Sequence, residues 1–403
     1  MRRFQIVPLP PKWFVAMHKE KYVFAQLIEF LDNNKFRHLV DKYDGNKYVK
    51  HFTCWNQLLA MMFGQLSNRE SLRDLIVTLE AHRSKQYHLG LGCEPIAKTT
   101  LASANQNRDC RIFEDFAFYM MKEACEKRAT NILNIPGKKY AFDSTTIPLC
   151  LSTFPWAKFR SKKGGVKAHV LYDIEAQVPS FYTVTTASKH DSTMMSSISY
   201  EPNAYYIFDR AYDSFKELYK VHLMGSYYVV RAKTNIKYKV VKWKRRMPKN
   251  ILKDAEVKLT GYLSEKKYPE SFRLIRFYDE EEDREFTFLT NAKHLSAQEV
   301  ADLYQKRWLI ELFFKWLKQH LKIKKFWGTT ENAVRIQISV AIITYCLVAI
   351  IQHDMELKRS TYEVLQILSI SLTDKTHLRD LFDKTNFNDV KEQFDPLIPG
   401  LFN

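Results

Sequence analysis

The 403-residue chain has six cysteines (Cys54, Cys93, Cys110, Cys125, Cys150 and Cys346) and no C-x-x-C pair. Thiols this scattered exclude a disulfide frame or a zinc knuckle as the organising element, and they read as reduced, mostly buried side chains of an intracellular protein. The start, Met1-Arg2-Arg3-Phe4, lacks a continuous apolar stretch, so no secretory leader is expected. The most apolar run, 340–351, is too short for a normal membrane span and contains Thr344, which predicts a buried core helix rather than an anchor. No internal repeat or low-complexity segment is found, which excludes a repeat array. Acidic residues are in deficit: 62 Lys and Arg face 45 Asp and Glu, leaving +17. That balance favours a polyanionic partner, nucleic acid before membrane. A solvated basic surface would carry the same charge, but it explains less well why the cations interleave with Trp and Tyr.

The chain is long enough for two or three compact units, and 46% apolar with 14% aromatic residues can build large cores. Residues 1–133 are expected to be helical. Apolar residues recur at three- and four-residue steps over 23–43, 55–65, 71–85 and 111–128, with Ser71 opening one helix and Thr99 or Thr100 capping another. The pattern changes at Asn134-Ile135-Pro136-Gly137. Strand-like runs follow at 140–147, 168–172, 180–186 and 204–208, then a helix at 214–223 and a strand at 226–232. This predicts a mixed sheet with helices packed on it over 134–234. Residues 235–293 read as a more polar β-rich insertion, with strands at 238–241, 272–277 and 286–289. Over 294–350 the pattern is helical, opened by a capping box of Ser296 and Glu299. A C-terminal helical region, 351–403, includes a helix near 376–383.

Within that late helix, Tyr304, Arg307, Glu311 and Lys318 fall at helical spacing and share a stripe. Trp308, Leu312, Phe313, Trp316 and Leu317 surround it. A carboxylate among cations on a largely apolar helix is unfavourable unless it meets a partner, a metal or a charged substrate. Two further carboxylates stand where strands are expected to end, Asp143 after Tyr140-Ala141-Phe142 and Asp209 after Tyr205-Tyr206-Ile207-Phe208. An isolated Asp there is usually a turn or cap residue. At the carboxyl ends of strands in an α/β sheet, however, such residues point into the ligand crevice. Asp143, Asp209 and Glu311 together offer hard oxygen donors suited to Mg2+ or Mn2+, and a pair of such ions serves phosphodiester chemistry. Arg307 and Lys318 would then face phosphate.

The spacing Tyr304-x-x-Arg307-x-x-x-Glu311-x-x-x-x-x-x-Lys318 resembles the Y-(2)-R-(3)-E-(6)-K signature of the insertion-sequence-four family of DDE transposases. Asp143-Ser144-Thr145-Thr146 is similar to that family's first-aspartate strand. Asp209-Arg210-Ala211-Tyr212 is similar to its second-aspartate motif, with Ala211 where Gly is usual, and Tyr228-Val229-Val230-Arg231-Ala232-Lys233 to the strand that follows. Phe52-Thr53-Cys54-Trp55 and Ser71-Leu72-Arg73-Asp74 resemble the helical domain that precedes such cores. The resemblance implies an α/β, RNase H-like core with a β-rich insertion behind a helical N-terminal DNA-binding domain. It implies a catalytic and metal-binding triad of Asp143, Asp209 and Glu311 with two Mg2+ or Mn2+ ions. It also implies DNA contacts from Tyr304, Arg307 and Lys318, and a bacterial cytoplasmic, nucleoid-associated enzyme. The expected activity is cut-and-paste transposition: binding double-stranded terminal inverted repeats, cleaving the element ends and joining them to target DNA, with two copies in the synaptic complex and no membrane partner. The alternatives are an RNase H-like nuclease without strand transfer and a non-catalytic DNA-binding derivative, with a glycosidase far behind.

Other signals have two readings each. Lys242, Trp243, Lys244, Arg245 and Arg246 lie in a basic run that is either a charged sheet edge or a DNA-tracking surface with a stacking ring. Arg210, beside Asp209, is a candidate DNA contact. Trp308 could stack on a displaced base, although a core position is the simpler expectation. Gly164-Gly165 is expected in a turn that also touches DNA. His169 is expected to be a satisfied core histidine, and Asp191 a helix N-cap.

Overall fold

Three helix starts in the N-terminal third follow from capping side chains, those of Asp32, Thr53 and Ser71. In the computed structural model, which describes residues 21–383 apart from 131, 161–162, 234, 245–246, 282 and 320–324, this third forms α1 (Val23–Ile28), α2 (Asn33–Lys42), α3 (Cys54–Leu66), α4 (Leu72–Ala81), α5 (Lys98–Asn107) and α6 (Arg111–Lys127). The single helix expected over 23–43 is two, because the Asp32 carboxylate accepts from the Lys35 N–H and starts a new one. Thr53 and Asn56 close a capping box on α3, and Ser71 caps α4 by accepting from the Asp74 N–H. Thr99 and Thr100 do not cap. They lie inside α5, whose N-cap is Ala97 with no side-chain acceptor.

The chain then builds one sheet from β1 (Lys139–Leu149), β2 (Lys158–Arg160), β3 (Lys163–Asp173), β4 (Val178–Thr186), β5 (Tyr205–Phe208), β6 (Tyr227–Arg231), β7 (Tyr238–Trp243), β8 (Ile251–Leu259), β9 (Phe272–Asp279) and β10 (Arg284–Thr290). Its order is β2-β3-β1-β5-β6-β10-β9-β8-β7, with β4 also on β3. The strands β4, β3 and β1 are antiparallel neighbours, whereas β1, β5 and β6 run parallel. That arrangement is the one expected of an RNase H-like core. The parallel step from β5 to β6 is made through α7 (Phe215–Leu223), as parallel pairing requires a crossover. The four strands of the insertion, with α8 (Tyr262–Lys267) between β8 and β9, form an antiparallel meander that joins the core sheet through β10 on β6.

Two features escape sequence reading. β8 carries four charges in nine residues, a composition unlike that of a buried strand. Its Asp254 is nevertheless buried, and takes a forked pair of hydrogen bonds from Arg273 Nε (2.7 Å) and Nη2 (2.5 Å). Gly164 and Gly165 are not in a turn. They pair within β3 opposite Leu149 and Pro148. A Cβ on Gly165 would sit 3.2 Å from both the Ile147 carbonyl oxygen and the Ala187 Cβ, so the glycines serve close strand packing rather than phosphate approach.

After the sheet come α9 (Ala297–Gln305), α10 (Trp308–Gln319), α11 (Glu331–Asp354), α12 (Thr361–Ser371) and α13 (Leu378–Phe382). The capping box of Ser296 and Glu299 opens α9 as expected. α11 is long and apolar enough to cross a membrane, yet 94% of its most apolar window is buried inside the protein. It packs on α6, α3 and β4 as a core helix. One face of the sheet shares a single hydrophobic cluster with the N-terminal helices, α10 and α11. The other face packs α7, the 191–212 segment and the insertion strands into a second cluster.

The Arg273 guanidinium also donates from Nη1 to the Leu295 carbonyl, one residue before the α9 cap. The insertion thus clamps the approach to the helices that follow. Asp254→Ala leaves Arg273 buried without its carboxylate, and is expected to cost about 3–5 kcal/mol of unfolding free energy in urea titrations.

Candidate active site

Parallel pairing between β1 and β5 ends at Phe142 and Phe208. Asp143 and Asp209 are the next residues on each strand, so they stand abreast about 5 Å apart across the sheet. Asp209 lies at the end of β5 as expected, but β1 does not end at Asp143. It continues to Leu149 against β3, because the antiparallel ladder outlasts the parallel one. Beyond Phe208, β5 offers no further partner, and the Ser144 N–H donates instead to Asp143 Oδ1 (2.8 Å).

The stripe from Tyr304 to Lys318 lies on two helices rather than one. The chain tightens between them, with the Arg307 N–H bonded to the Tyr304 carbonyl and the Ile310 N–H to the Arg307 carbonyl, both i to i−3. In such a turn residues three apart eclipse one another, which keeps Tyr304 and Arg307 aligned. Tyr304 is buried against the Phe288 ring, with centroids 4.7 Å apart, and its hydroxyl donates to Asp209 Oδ1 (3.1 Å). Packing and a polar contact thus coexist in one residue. Arg307 donates from Nη1 to Asp143 Oδ2 (3.0 Å) and from Nη2 to Glu311 Oε1 (2.5 Å). Three carboxylates from β1, β5 and α10 are thereby gathered around one guanidinium and one phenol.

Electrostatics at the crevice are coupled. Burial pushes the Asp143 carboxyl up to about 6; the Arg307 charge and the Ser144 N–H pull it down, while Asp209 and Glu311 push it up. Burial disfavours the Arg307 cation, but Tyr304, Asp143 and Glu311 outweigh it and hold the guanidinium charged. Burial, first, pushes the Tyr304 phenol up to about 12, so it remains a donor. Among the described residues no three Asp, Glu, His or Cys side chains are grouped tightly enough to hold an ion in this arrangement. The donor set nevertheless suits a hard divalent cation, and Asp143 and Glu311 already converge on one cationic group.

Glu311 is exposed, and Lys318 is half-buried in the last turn of α10, about 10 Å further along the axis. Arg210 is exposed beside Asp209. Trp308 is not a core residue. It is 47% exposed, because the tightened turn rotates it outward at the start of α10. It lines a cleft of about 880 Å3 together with Tyr304, Arg307, Phe286, Arg231 and Arg284, the last two cations lying over the Phe286 ring. Lys242, Trp243 and Lys244 are exposed on or just after β7, the edge strand of the sheet, with Lys253 Nζ 4.8 Å from the Trp243 ring centroid. Arg245 and Arg246 fall outside the described residues. Asp191 is not an N-cap. It opens a 3-10 segment that has no side-chain cap, and it accepts from Ser144 and Lys167 instead. That neighbour of Asp143 went unrecognised in the sequence, although β1–β3 register would have brought Ser144 and Lys167 to one face.

An RNase H-like sheet with acidic strand ends, an Arg- and aromatic-lined cleft and a basic chain around them is the build of an enzyme that acts on nucleic acid. The chain belongs to the transposase DDE-domain family, whose model matches residues 136–347, and it is accordingly an enzyme of DNA transposition. Members of that family generally use divalent metal ions. Residues 19–92 match a domain of unknown function, DUF4372. The putative transposase y4zB of Sinorhizobium fredii is 34% identical over 244 residues, 59% of this chain and 67% of that protein. The probable transposase for insertion sequence element IS5377 of Geobacillus stearothermophilus is 32% identical over 227 residues, 55% of this chain and 59% of that one. The putative transposase for insertion sequence element IS4SA of Synechocystis is 24% identical over 303 residues, 73% of this chain and 83% of that one.

Because Asp143 binds its proton more tightly folded than unfolded, its contribution to stability is lost as pH rises from about 4 through about 6. Asp143→Asn is therefore expected to be more stable than the parent at pH 7 without divalent ions, by about 1–3 kcal/mol, with the difference vanishing near pH 4. Urea titrations at both pH values check this; a less stable variant at pH 7 would contradict it.

Proposed function

We propose that this chain is the transposase of an insertion sequence, which binds the element's terminal inverted repeats, cuts at its 3′ ends and joins them to target DNA. The observation that carries the reading is the convergence of Asp143, Asp209 and Glu311 on Arg307 and Tyr304. The three carboxylates would hold two Mg2+ or Mn2+ ions, which when bound activate the attacking oxygen and stabilise the leaving one. In the first step a water oxygen bonds to phosphorus and the 3′-oxygen leaves. In the second the freed 3′-hydroxyl attacks a target phosphodiester and displaces its 3′-oxygen. One phosphodiester is made for each one broken, so joining needs no external energy source.

The residues of the chain set the geometry. Arg307 would exchange its carboxylates for a DNA phosphate as ions enter, with Lys318 holding the backbone further along α10. Tyr304 orients Asp209, and Arg210 faces the flanking strand. Trp308 stands in the cleft where a displaced base can stack, and Lys242, Trp243 and Lys244 follow the DNA along the sheet edge, with Arg245 and Arg246, outside the described residues, as further candidate DNA contacts. The N-terminal domain, 1–133, would bind the element ends, while 134–234 and 294–350 form the core around the 235–293 insertion; of the C-terminal region, 351–403, the described part as far as 383 completes the helical layer, and residues 1–20 and 384–403 lie outside the described residues. Two element ends require two copies, so the working form is a dimer on DNA, in the cytoplasm at the nucleoid.

Asp143→Ala and Glu311→Gln are expected to abolish Mg2+-dependent cleavage of DNA carrying the sequences that flank this reading frame. With pre-cleaved ends the parent should yield strand-transfer products; cleavage without joining would identify a nuclease instead. Arg307→Ala should bind Mn2+ about tenfold or more tightly without DNA, the scale on which one adjacent charge shifts a carboxylate, while cleaving poorly. Loss of the free-ion EPR signal measures the binding; unchanged affinity would show that the guanidinium does not compete with the ion.

A further inference from the structure

Behind Asp143, on the other face of β1, lies a polar cluster with no part in the steps above. Side chains alternate along a strand, so Ser144 points away from the face that Asp143 takes toward α10. Ser144 pairs with His169 and Thr146 with Lys167, which puts these four on one face. Asp191, at the start of the 3-10 segment Asp191–Ser197, closes over them. Its Oδ1 accepts from Ser144 Oγ (2.7 Å) and from Lys167 Nζ (3.0 Å), while Lys167 also donates to the Lys189 carbonyl (3.1 Å). His169 is buried and bonded to Thr185 Oγ1 (2.9 Å), and its Nδ1 lies 3.8 Å from Asp191 Oδ1 without a hydrogen bond.

We propose that Asp191 is a positioning residue for Asp143, acting through Ser144. The inference rests on the reading of Asp143 as a metal-holding carboxylate. From Asp143 onward β1 has β3 on one side and no strand on the other, so the backbone at the reacting position is braced on a single edge. The Ser144 N–H fixes Asp143 Oδ1, and the Ser144 hydroxyl fixes that same residue to Asp191. One serine therefore couples the two carboxylates from opposite faces. Lys167 pairs with Asp191 (3.0 Å), and it too is anchored, by the Lys189 carbonyl and by its place in β3. Asp191 lies on the face of β1 opposite Asp143 and acts on it through Ser144, which determines where Asp143 points.

The test uses the full chain and DNA carrying the flanking sequences. Asp191→Ala is expected to weaken Mn2+ binding to the protein–DNA complex, read by the free-ion EPR signal, and to lower cleavage, each by about 10–100-fold as for partners one step removed from a metal ligand. Asp191→Asn keeps an oxygen for Ser144 and should recover most of both. Ser144→Ala removes only the hydroxyl, and should reproduce the weakened Mn2+ binding with an unchanged melting temperature; it decides the matter if Asp191→Ala does not fold. Unchanged Mn2+ binding in Ser144→Ala, or in a folded Asp191→Ala, overturns the proposal whatever happens to cleavage. If Asp143→Ala itself cleaves fully, the reading of the site fails first. If Asp143→Ala is dead and both neighbours behave like the parent, only the present inference fails.

Discussion

One guanidinium holds the two halves of the crevice together. Asp143 lies on the first strand of the sheet and Glu311 on a helix after the last, and Arg307 bonds to both. Without a cation there, three carboxylates would face one another at short range. Like charges about 4 Å apart repel by roughly 1 kcal/mol in water and several times that near protein. The tightened turn between α9 and α10, the burial of Tyr304 under Phe288 and the clamp from Arg273 to Leu295 all serve to bring Arg307 to that spot. Charge compensation at the crevice thus falls to a single side chain, the one we propose takes the DNA phosphate.

The local parts of this site could be read from the sequence because their spacing is local. Tyr304, Arg307, Glu311 and Lys318 follow helical steps, and Asp143 and Asp209 each close an apolar run. The break at 306–307 could not be read. It contains neither Gly nor Pro, so nothing distinguishes it from a continuing helix, and the exposure of Trp308 depends on it. Asp191 was misread for a related reason. His-Asp-Ser before a helical pattern has the look of a cap, and the stronger claim of Ser144 and Lys167 on that carboxylate exists only once β1 and β3 are paired. The glycines of β3 and the charged strand β8 show the same limit: their environment is set by partners distant in sequence.

The mixed sheet followed from alternating strand and helix patterns, but its continuity did not. The insertion strands extend the core sheet from β6 through β10 to β7, and the N-terminal helices share a hydrophobic cluster with α10 and α11. Long-range packing rather than local pattern therefore decides how the segments meet. α11 illustrates it: the longest described helix is apolar around nearly its whole circumference because protein surrounds it.

The sequence separation of 164 residues between Asp143 and its Arg307 partner also has a consequence for synthesis. At about 5–20 residues per second, the ribosome makes β1 many seconds before it makes α10. A chain interrupted between Asp209 and Arg307 carries the N-terminal helices and both aspartates but neither the guanidinium nor the third carboxylate. On the proposed reading of the site, cutting ability is thus acquired late in synthesis, and a copy truncated before Arg307 has the first part of the protein without the means to break a strand.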